Sequence, residues 1–344
     1  MSEVTLILEL LSERSQMTSS EIYSAIDYKK SSRTLNRLLE QLIDKKLVEK
    51  VGVNKGTRYS LSKSYGILHS IDLENYFEKD IDERIINESF NHELLRKDLY
   101  QVDIFTDSEL AHLATLQDDY SKNISQLSEQ EYLKEIERLA IDLSWKSSQI
   151  EGNTYSLLET ERLLKEKQTA AGKTKDEAVM LLNHKDAIDF IVENPDYLKE
   201  LSIRRIEAIH SLLTKELGIN RNLRSRRVGI TGTNYRPLDN EFQIREAFND
   251  MCDLINYKDN IFEKALIALV LISYIQGFID GNKRTARITS NAILIANHYC
   301  PISFRTVDSI DYKKAMLVFY ERNNITAFKR IFIDQFEFAV KTYF

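Results

Sequence analysis

Only three prolines and ten glycines interrupt 344 residues, and this scarcity of chain breakers constrains the fold more than any other feature. Proline removes a backbone donor and glycine costs order inside a helix, so their rarity permits long helices with few tight turns. A mostly α fold is expected. With 43% apolar and 29% charged residues the chain has an ordinary globular composition, long enough for two or three domains with a sizeable core. The longest apolar run, "ALIALVLISYI" from Ala265, is too short to span a bilayer and reads as a buried helix. No membrane partner is expected. The N-terminus is acidic and amphipathic, unlike a secretory signal. Cys252 and Cys300 lack metal-type spacing and suggest a reducing compartment. The expected location is cytoplasmic.

Charge is spread unevenly. The chain carries −6 overall, yet between residues 29 and 58 Lys29, Lys30, Arg33, Arg37, Lys45, Lys46, Lys50, Lys55 and Arg58 face only Glu40, Asp44 and Glu49. A basic module on an acidic body implies separate partners for the two. In that module "MTSSEIYSAI" holds a capping box between Thr18 and Glu21. "SSRTLNRLLEQLIDKK" puts Leu35, Leu38, Leu39 and Leu42 on one stripe and leaves Arg33, Asn36, Arg37 and Gln41 outward. "LVEKVGVNKGTRYSL" alternates as strand, turn and strand around residues 54–56. The order of elements resembles a winged helix-turn-helix, with residues 32–45 as recognition helix and 50–58 as wing. On that reading Arg33, Asn36 and Arg37 reach base edges of double-stranded DNA while Lys55 and Arg58 meet phosphates. Such modules also serve for docking or dimerisation, so a homodimer is the competing expectation. The expected organisation is a winged helix-turn-helix over 1–62, a helical connecting region over 63–120, and a further domain over 121–344.

The chemistry concentrates in "YIQGFIDGNKRTAR", residues 274–287. A buried helix breaks at a turn signal, Asp280-Gly281-Asn282, before helical pattern resumes. Gly281 frees the backbone to curl, so that amides at the new helix start point at an anion. Arg284 and Arg287 share a face and can clamp phosphate oxygens. Asp280 can hold magnesium bridging those phosphates. A bare Asp-Gly-Asn more often caps a helix with its arginines paired to carboxylates; the whole set, behind a buried helix, shifts the balance toward phosphate.

These residues resemble the signature of the Fic/Doc (Fido) family, His-Pro-Phe-x-Asp-Gly-Asn-Gly-Arg-x-x-Arg. Phe278, Asp280, Gly281, Asn282, Arg284 and Arg287 agree with it, whereas Gln276 replaces the histidine, Gly277 the proline and Lys283 the second glycine. "SSQIEGN", residues 147–153, is similar to the family's inhibitory motif at Ser147, Glu151 and Gly152. "VGITGTNYRPL", residues 228–238, sits where members carry a β-hairpin flap over the target site, here Gly229, Ile230, Thr231 and Gly232. The resemblance implies that 121–344 is a Fic-type helical bundle with an inhibitory helix and a small β-hairpin flap. It implies transfer of AMP from ATP to a hydroxyl of a target protein or of the chain itself. Asp280 would hold Mg2+, Asn282 and the amides around Gly281 the α-phosphate, and Arg284 and Arg287 the outer phosphates. Glu151 would pair with Arg287 and divert it from the γ-phosphate, with Ser147 anchoring that helix. Lys283 stands where the Doc phosphotransferases also carry lysine, a long cation that can crowd the α-phosphate and favour another nucleotide pose.

Gln276 is the decisive departure. An amide can orient a hydroxyl but does not accept a proton near neutral pH, and loss of a positioned base costs about 10²–10⁴ in rate. His298 lies roughly 24 Å along the helix from Asn282 at the helical rise, and His184 and His210 fall on other segments. The expectation is therefore ATP binding with catalysis impaired or altered. The alternatives are a DNA-binding regulator whose Fic domain senses nucleotide, and a Doc-type phosphotransferase.

Overall fold

A computed structural model describes residues 3–14, 16–26, 31–52 and 56–344. Lys29, Lys30 and Lys55, together with most of the expected 54–56 turn, lie outside the described residues. The N-terminal elements are α1 (Glu3–Glu13), α2 (Ser19–Ala25) and α3 (Ser32–Asp44), then β1 (Val48–Val51) and β2 (Arg58–Leu61), which pair antiparallel with Val48 opposite Leu61. Thr18 caps α2 through the expected capping box, its hydroxyl accepting from the Glu21 amide. Leu35, Leu39 and Leu42 turn inward from α3 to meet Ile7, Leu11, Ile22, Val48 and Tyr59 in a core of their own. Leu38 stays half-buried at its edge, and Arg33, Asn36 and Arg37 are exposed. Arg58 leans on Glu21 at 3.7 Å and on the Gln16 carbonyl.

A second, larger core runs from Ile67 to Tyr343. Its first contributors are α4 (Lys63–Leu68) and a π-helical turn (Leu94–Asp98), while α5 (Leu73–Glu78) between them buries no residue. Then follow α6 (Asp107–Ile124), α7 (Glu129–Ile150), α8 (Leu157–Glu166), α9 (Lys175–Glu193) and α10 (Ile203–Leu213). The bundle ends with α11 (Glu241–Tyr257), α12 (Ile261–Ile275), α13 (Asn282–Ala296), α14 (Ser309–Arg322) and α15 (Thr326–Tyr343). Side-chain oxygens start most of these helices: Thr106, Ser128, Ser156 and Thr174 each form a capping box, and Asn260 caps α12. α12 is apolar on every side, and its Leu266, Leu269 and Ile272 are fully buried. Each such side chain contributes about 1.5–3 kcal/mol of transfer free energy, so α12 is the axle on which the body packs. Truncating Leu269 to alanine would cost about 2–5 kcal/mol. No described helix is long and apolar enough to cross a membrane.

The architecture is mostly helical, as the scarcity of breakers implies. One expected element differs. Residues 228–238 turn at Thr231 and Gly232, but their limbs do not pair; among the described residues the two-stranded sheet is β1 with β2. The segment's bonds go elsewhere. The Arg236 amide donates to the Glu88 carbonyl at 2.8 Å and Arg236 bridges in parallel to Ser89, while Pro237 has no amide to offer.

Candidate active site

The turn between α12 and α13 is built from its own side chains. α12 stops because Gln276 itself takes the left-handed conformation, φ +53°. Gly277 follows where no side chain fits: a Cβ would lie 2.1 Å from Phe248 Cε2. Gly281 turns at φ +81° to open α13, the conformation that glycine adopts without strain. Across this turn Asn282 reaches back. Its Oδ1 accepts from the Phe278 amide at 2.9 Å, and its Nδ2 donates to the Phe278 carbonyl at 2.8 Å and to Gln276 Oε1 at 3.1 Å. Gln276 Nε2 donates to the Ser273 carbonyl at 2.7 Å and lies 3.3 Å from the Tyr320 hydroxyl. Both amides are thus occupied within the protein. The three bonds of Asn282 close the loop on itself, and the residue also lines the cleft beside the loop.

Two residues without a motif brace the loop from outside. His210 stacks on Phe278 at 3.7 Å and presents Nε2 to the Asp280 carbonyl at 2.9 Å. Its Nδ1 faces the Arg221 carbonyl at 3.3 Å, and burial lowers its imidazole from the ordinary range. Arg224 donates from Nε to the Gln276 carbonyl at 2.5 Å, from Nη1 to Arg226 at 2.7 Å and from Nη2 to Leu238 at 2.6 Å. It gathers the loop and both ends of the 228–238 segment on one guanidinium. Nothing in "RNLRSRR" distinguishes Arg224 from its exposed neighbours except where the fold puts it.

Behind the loop stand the two arginines. Arg287 is fully buried; its Nε donates to Ser147 Oγ at 2.6 Å, and its Nη2 to the Ser147 carbonyl at 3.0 Å and to Glu151 Oε1 at 2.7 Å. Its guanidinium also lies 5.3 Å from the Tyr312 ring centre. Lys283 Nζ reaches Glu151 Oε2 at 3.5 Å, so it pairs with the carboxylate that the sequence reading assigned to Arg287 alone. Burial pushes the Glu151 carboxyl up, but Arg287 and Lys283 outweigh it and hold the group below its ordinary value. Glu151 ends α7, and Gly152 at φ +100° turns the chain away. Arg284 meets Asp280 Oδ2 at 3.2 Å. Its Nε and Nη1, like Nη1 of Arg287, are buried without a hydrogen-bond partner.

These parts meet in a cleft of about 470 Å³. It is lined by Glu151 and Gly152, by Gly229, Ile230 and Thr231, which form a wall, by Gln276, Asp280, Gly281, Asn282 and Lys283 of the loop, and by Lys313, Met316 and Tyr320 of α14. Arg284 and Arg287 are not in the lining but behind it. No histidine lines the cleft among the described residues. His184 is buried on α9 with neither ring nitrogen bonded; burial and then Arg287 and Arg284 push it well below the ordinary imidazole range. His298 lies beyond the far end of α13. Arg33, Asn36, Arg37 and Arg58 belong to the N-terminal module and are not part of this cleft.

Residues 200–294, which include the whole loop, match the Fic/DOC family model. This part of the chain is a Fic/DOC domain. Over 177 residues, 49% of its length, the chain is 30% identical to the protein adenylyltransferase Fic of Nematostella vectensis, covering 40% of that protein. It is 26% identical to the protein adenylyltransferase fic-1 of Caenorhabditis elegans, covering 34% of it. The chain therefore spans less than half of either curated relative. In fold it is similar to a solved segment of C. elegans Fic-1, with TM-score 0.58, 20% identity, and 69% and 71% of the two chains covered. A Fic domain containing signaling protein of Bacteroides thetaiotaomicron gives TM-score 0.59 at 18% identity, with 67% and 95% covered.

Proposed function

We propose that the Fic/DOC cleft binds magnesium ATP and that the chain is a protein adenylyltransferase by descent, held nearly silent by Glu151 and by the absence of a base. The observation that carries this reading is the Glu151–Arg287 contact, 2.7 Å long, beside three buried guanidinium nitrogens that bond nothing. Buried arginine donors without partners are costly, and a carboxylate set on a guanidinium fork is the contact with which a phosphate would compete. Displacing Glu151 frees Arg287 and Lys283 together, beside the helix start at Gly281 that favours anions. Similarity to two proteins named adenylyltransferases supports AMP as the group moved.

Asp280 fits a magnesium ion carried in by the nucleotide. Its side chain is 64% exposed, and magnesium needs only one or two carboxylates beside phosphate oxygens. No group of three or more metal-ligating side chains exists among the described residues, so a protein cage of such groups is not the design. Bound there, the ion would neutralise phosphate charge. The chain's own share is to orient: Gln276, held between Tyr320 and Asn282, can align a hydroxyl through its amide but cannot take its proton.

Calorimetry with ATP and magnesium tests this. Glu151→Gly should tighten binding and Arg284→Ala abolish it. With α-labelled ATP the wild-type chain should label itself near background and Gln276→His with Glu151→Gly most strongly; label arriving only from the γ-position would favour a Doc-type phosphotransferase. Strong wild-type transfer that ignores Gln276 would overturn the reading.

A second function is favoured by α3, whose Arg33, Asn36 and Arg37 are exposed opposite a buried leucine stripe. This supports residues 1–62 as a winged helix module for duplex DNA, with 63–120 connecting it to a Fic region over 121–344. Duplex binding should weaken with salt and with Arg33→Ala and Arg37→Ala.

A further inference from the structure

The cleft wall at 229–231 lacks an internal frame, and Arg224 holds the segment only at its ends, at the Arg226 and Leu238 carbonyls. Gly229, Ile230 and Thr231 line the cleft, yet their main-chain groups pair with no other backbone among the described residues. Support comes from residues 82–88, upstream of the matched 200–294 segment. Asp82 Oδ1 accepts from Asn234 Nδ2 at 3.0 Å, and the Glu88 carbonyl accepts from the Arg236 amide at 2.8 Å. Between these, Arg84 Nη2 donates to the Gly232 carbonyl at 2.9 Å.

The Arg84 contact is the buried one. Its side chain is 4% exposed and pairs at 3.2 Å with Glu321 of α14, which is fully buried. Tyr76 donates its hydroxyl to the same carboxylate at 2.6 Å, and the guanidinium sits 5.1 Å from the Phe77 ring centre. Glu321 directly follows Tyr320, which lines the cleft and touches Gln276. One guanidinium thus fixes the turn of the wall relative to the helix beneath the reacting loop. The loop itself does not depend on it, being closed by Asn282, His210 and Arg224.

We infer that Arg84 is a positioning residue that sets the spacing between wall and anion loop, and so governs alignment of the acceptor chain rather than binding of the nucleotide. This rests on the proposed reading of the cleft as a transfer site. An extended acceptor adds to open main-chain groups such as those of 229–231, and a wall that must first be ordered charges that cost to every productive encounter.

Arg84→Met alone strands a buried carboxylate, so the test pairs it with Glu321→Met; replacing a buried ion pair by apolar chains of similar size is often neutral for stability. Arg84→Lys keeps the charge but not the fork that spans Glu321 and Gly232. In the chain carrying Glu151→Gly and Gln276→His, three things are read: amide exchange at Tyr235 and Arg236, whose amides donate to Thr233 Oγ1 and the Glu88 carbonyl, ATP affinity by calorimetry, and self-labelling from α-labelled ATP. The double methionine variant should exchange about tenfold faster at these two amides with the loop 276–283 unchanged. Its ATP affinity and KM should stay within about twofold while maximal self-labelling falls about fivefold or more, with the lysine variant between. Unchanged exchange in the folded double variant overturns the inference, as does a loss confined to ATP affinity. Should ATP bind to none of the proteins, the transfer reading fails, while exchange at Tyr235 and Arg236 still decides whether Arg84 holds the wall.

Discussion

The anion loop and the 229–231 wall bound the same cleft and are made in different ways. In the loop Asn282 makes three hydrogen bonds within six residues of itself. Its glycines sit where φ or a neighbour demands them, Gly281 by conformation and Gly277 by the Phe248 ring. The wall has a turn but no ladder, and it borrows its shape from Asp82, Arg84 and Glu88. On the proposed reading, the side that grips the nucleotide closes chiefly on itself, with His210 and Arg224 bracing it from outside, whereas the side that meets the acceptor is held mainly by residues far along the chain.

Substitutions should break this contrast unequally. The largest effect is expected behind the loop: Arg287→Met leaves Glu151 without its main counter-charge, and losing one partner of a buried pair costs about 3–5 kcal/mol. Urea denaturation should show it, with most of the loss recovered when Glu151 is also made methionine. Next comes Asn282→Ala, which strands the Phe278 amide; an unsatisfied buried group costs about 1–3 kcal/mol, and the loop alone should gain exchange. Gly277→Ala belongs to the same range, since overpacking a core costs about 1–3 kcal/mol, and Phe248→Leu in the same chain should return part of it. In the wall, Asn234→Ala removes an exposed contact to Asp82 and should stay within about 0.5 kcal/mol; a change as large as that of Asn282→Ala would erase the distinction. One effect is a slope. His184 has a depressed value in the folded state, so the unfolded chain binds the proton first; stability present above the unfolded value of about 6.5 is lost as pH falls below it. Melting temperatures from pH 7.5 down to 5.5 should decline less steeply for His184→Leu.

The same division governs what the sequence discloses. The α2 capping box, the leucine stripe of α3 and the break after α12 are periodic or local, and all three are visible in the string of residues. The approach of Ser147 and Glu151 to Arg287 is readable only through a motif, because the partners stand 136 to 140 positions apart. Arg224, His210, Tyr320 and Arg84 offer no signal at all: each looks like an ordinary residue of an amphipathic or basic stretch until packing removes it from water. The hairpin expected from "VGITGTNYRPL" failed for a related reason. Alternation and turn residues show that two limbs can pair, not that residues 88 and 89 claim the strand first.

The fit of Gly277 against Phe248 limits what this loop can accept. The signature that this loop resembles places proline at that position, but any ring there would collide with a side chain 2.1 Å from the first carbon added. Histidine placed at 276 alone would supply a base without the proline that the signature sets beside it, and Gly277→Pro would fit only with a smaller side chain at 248.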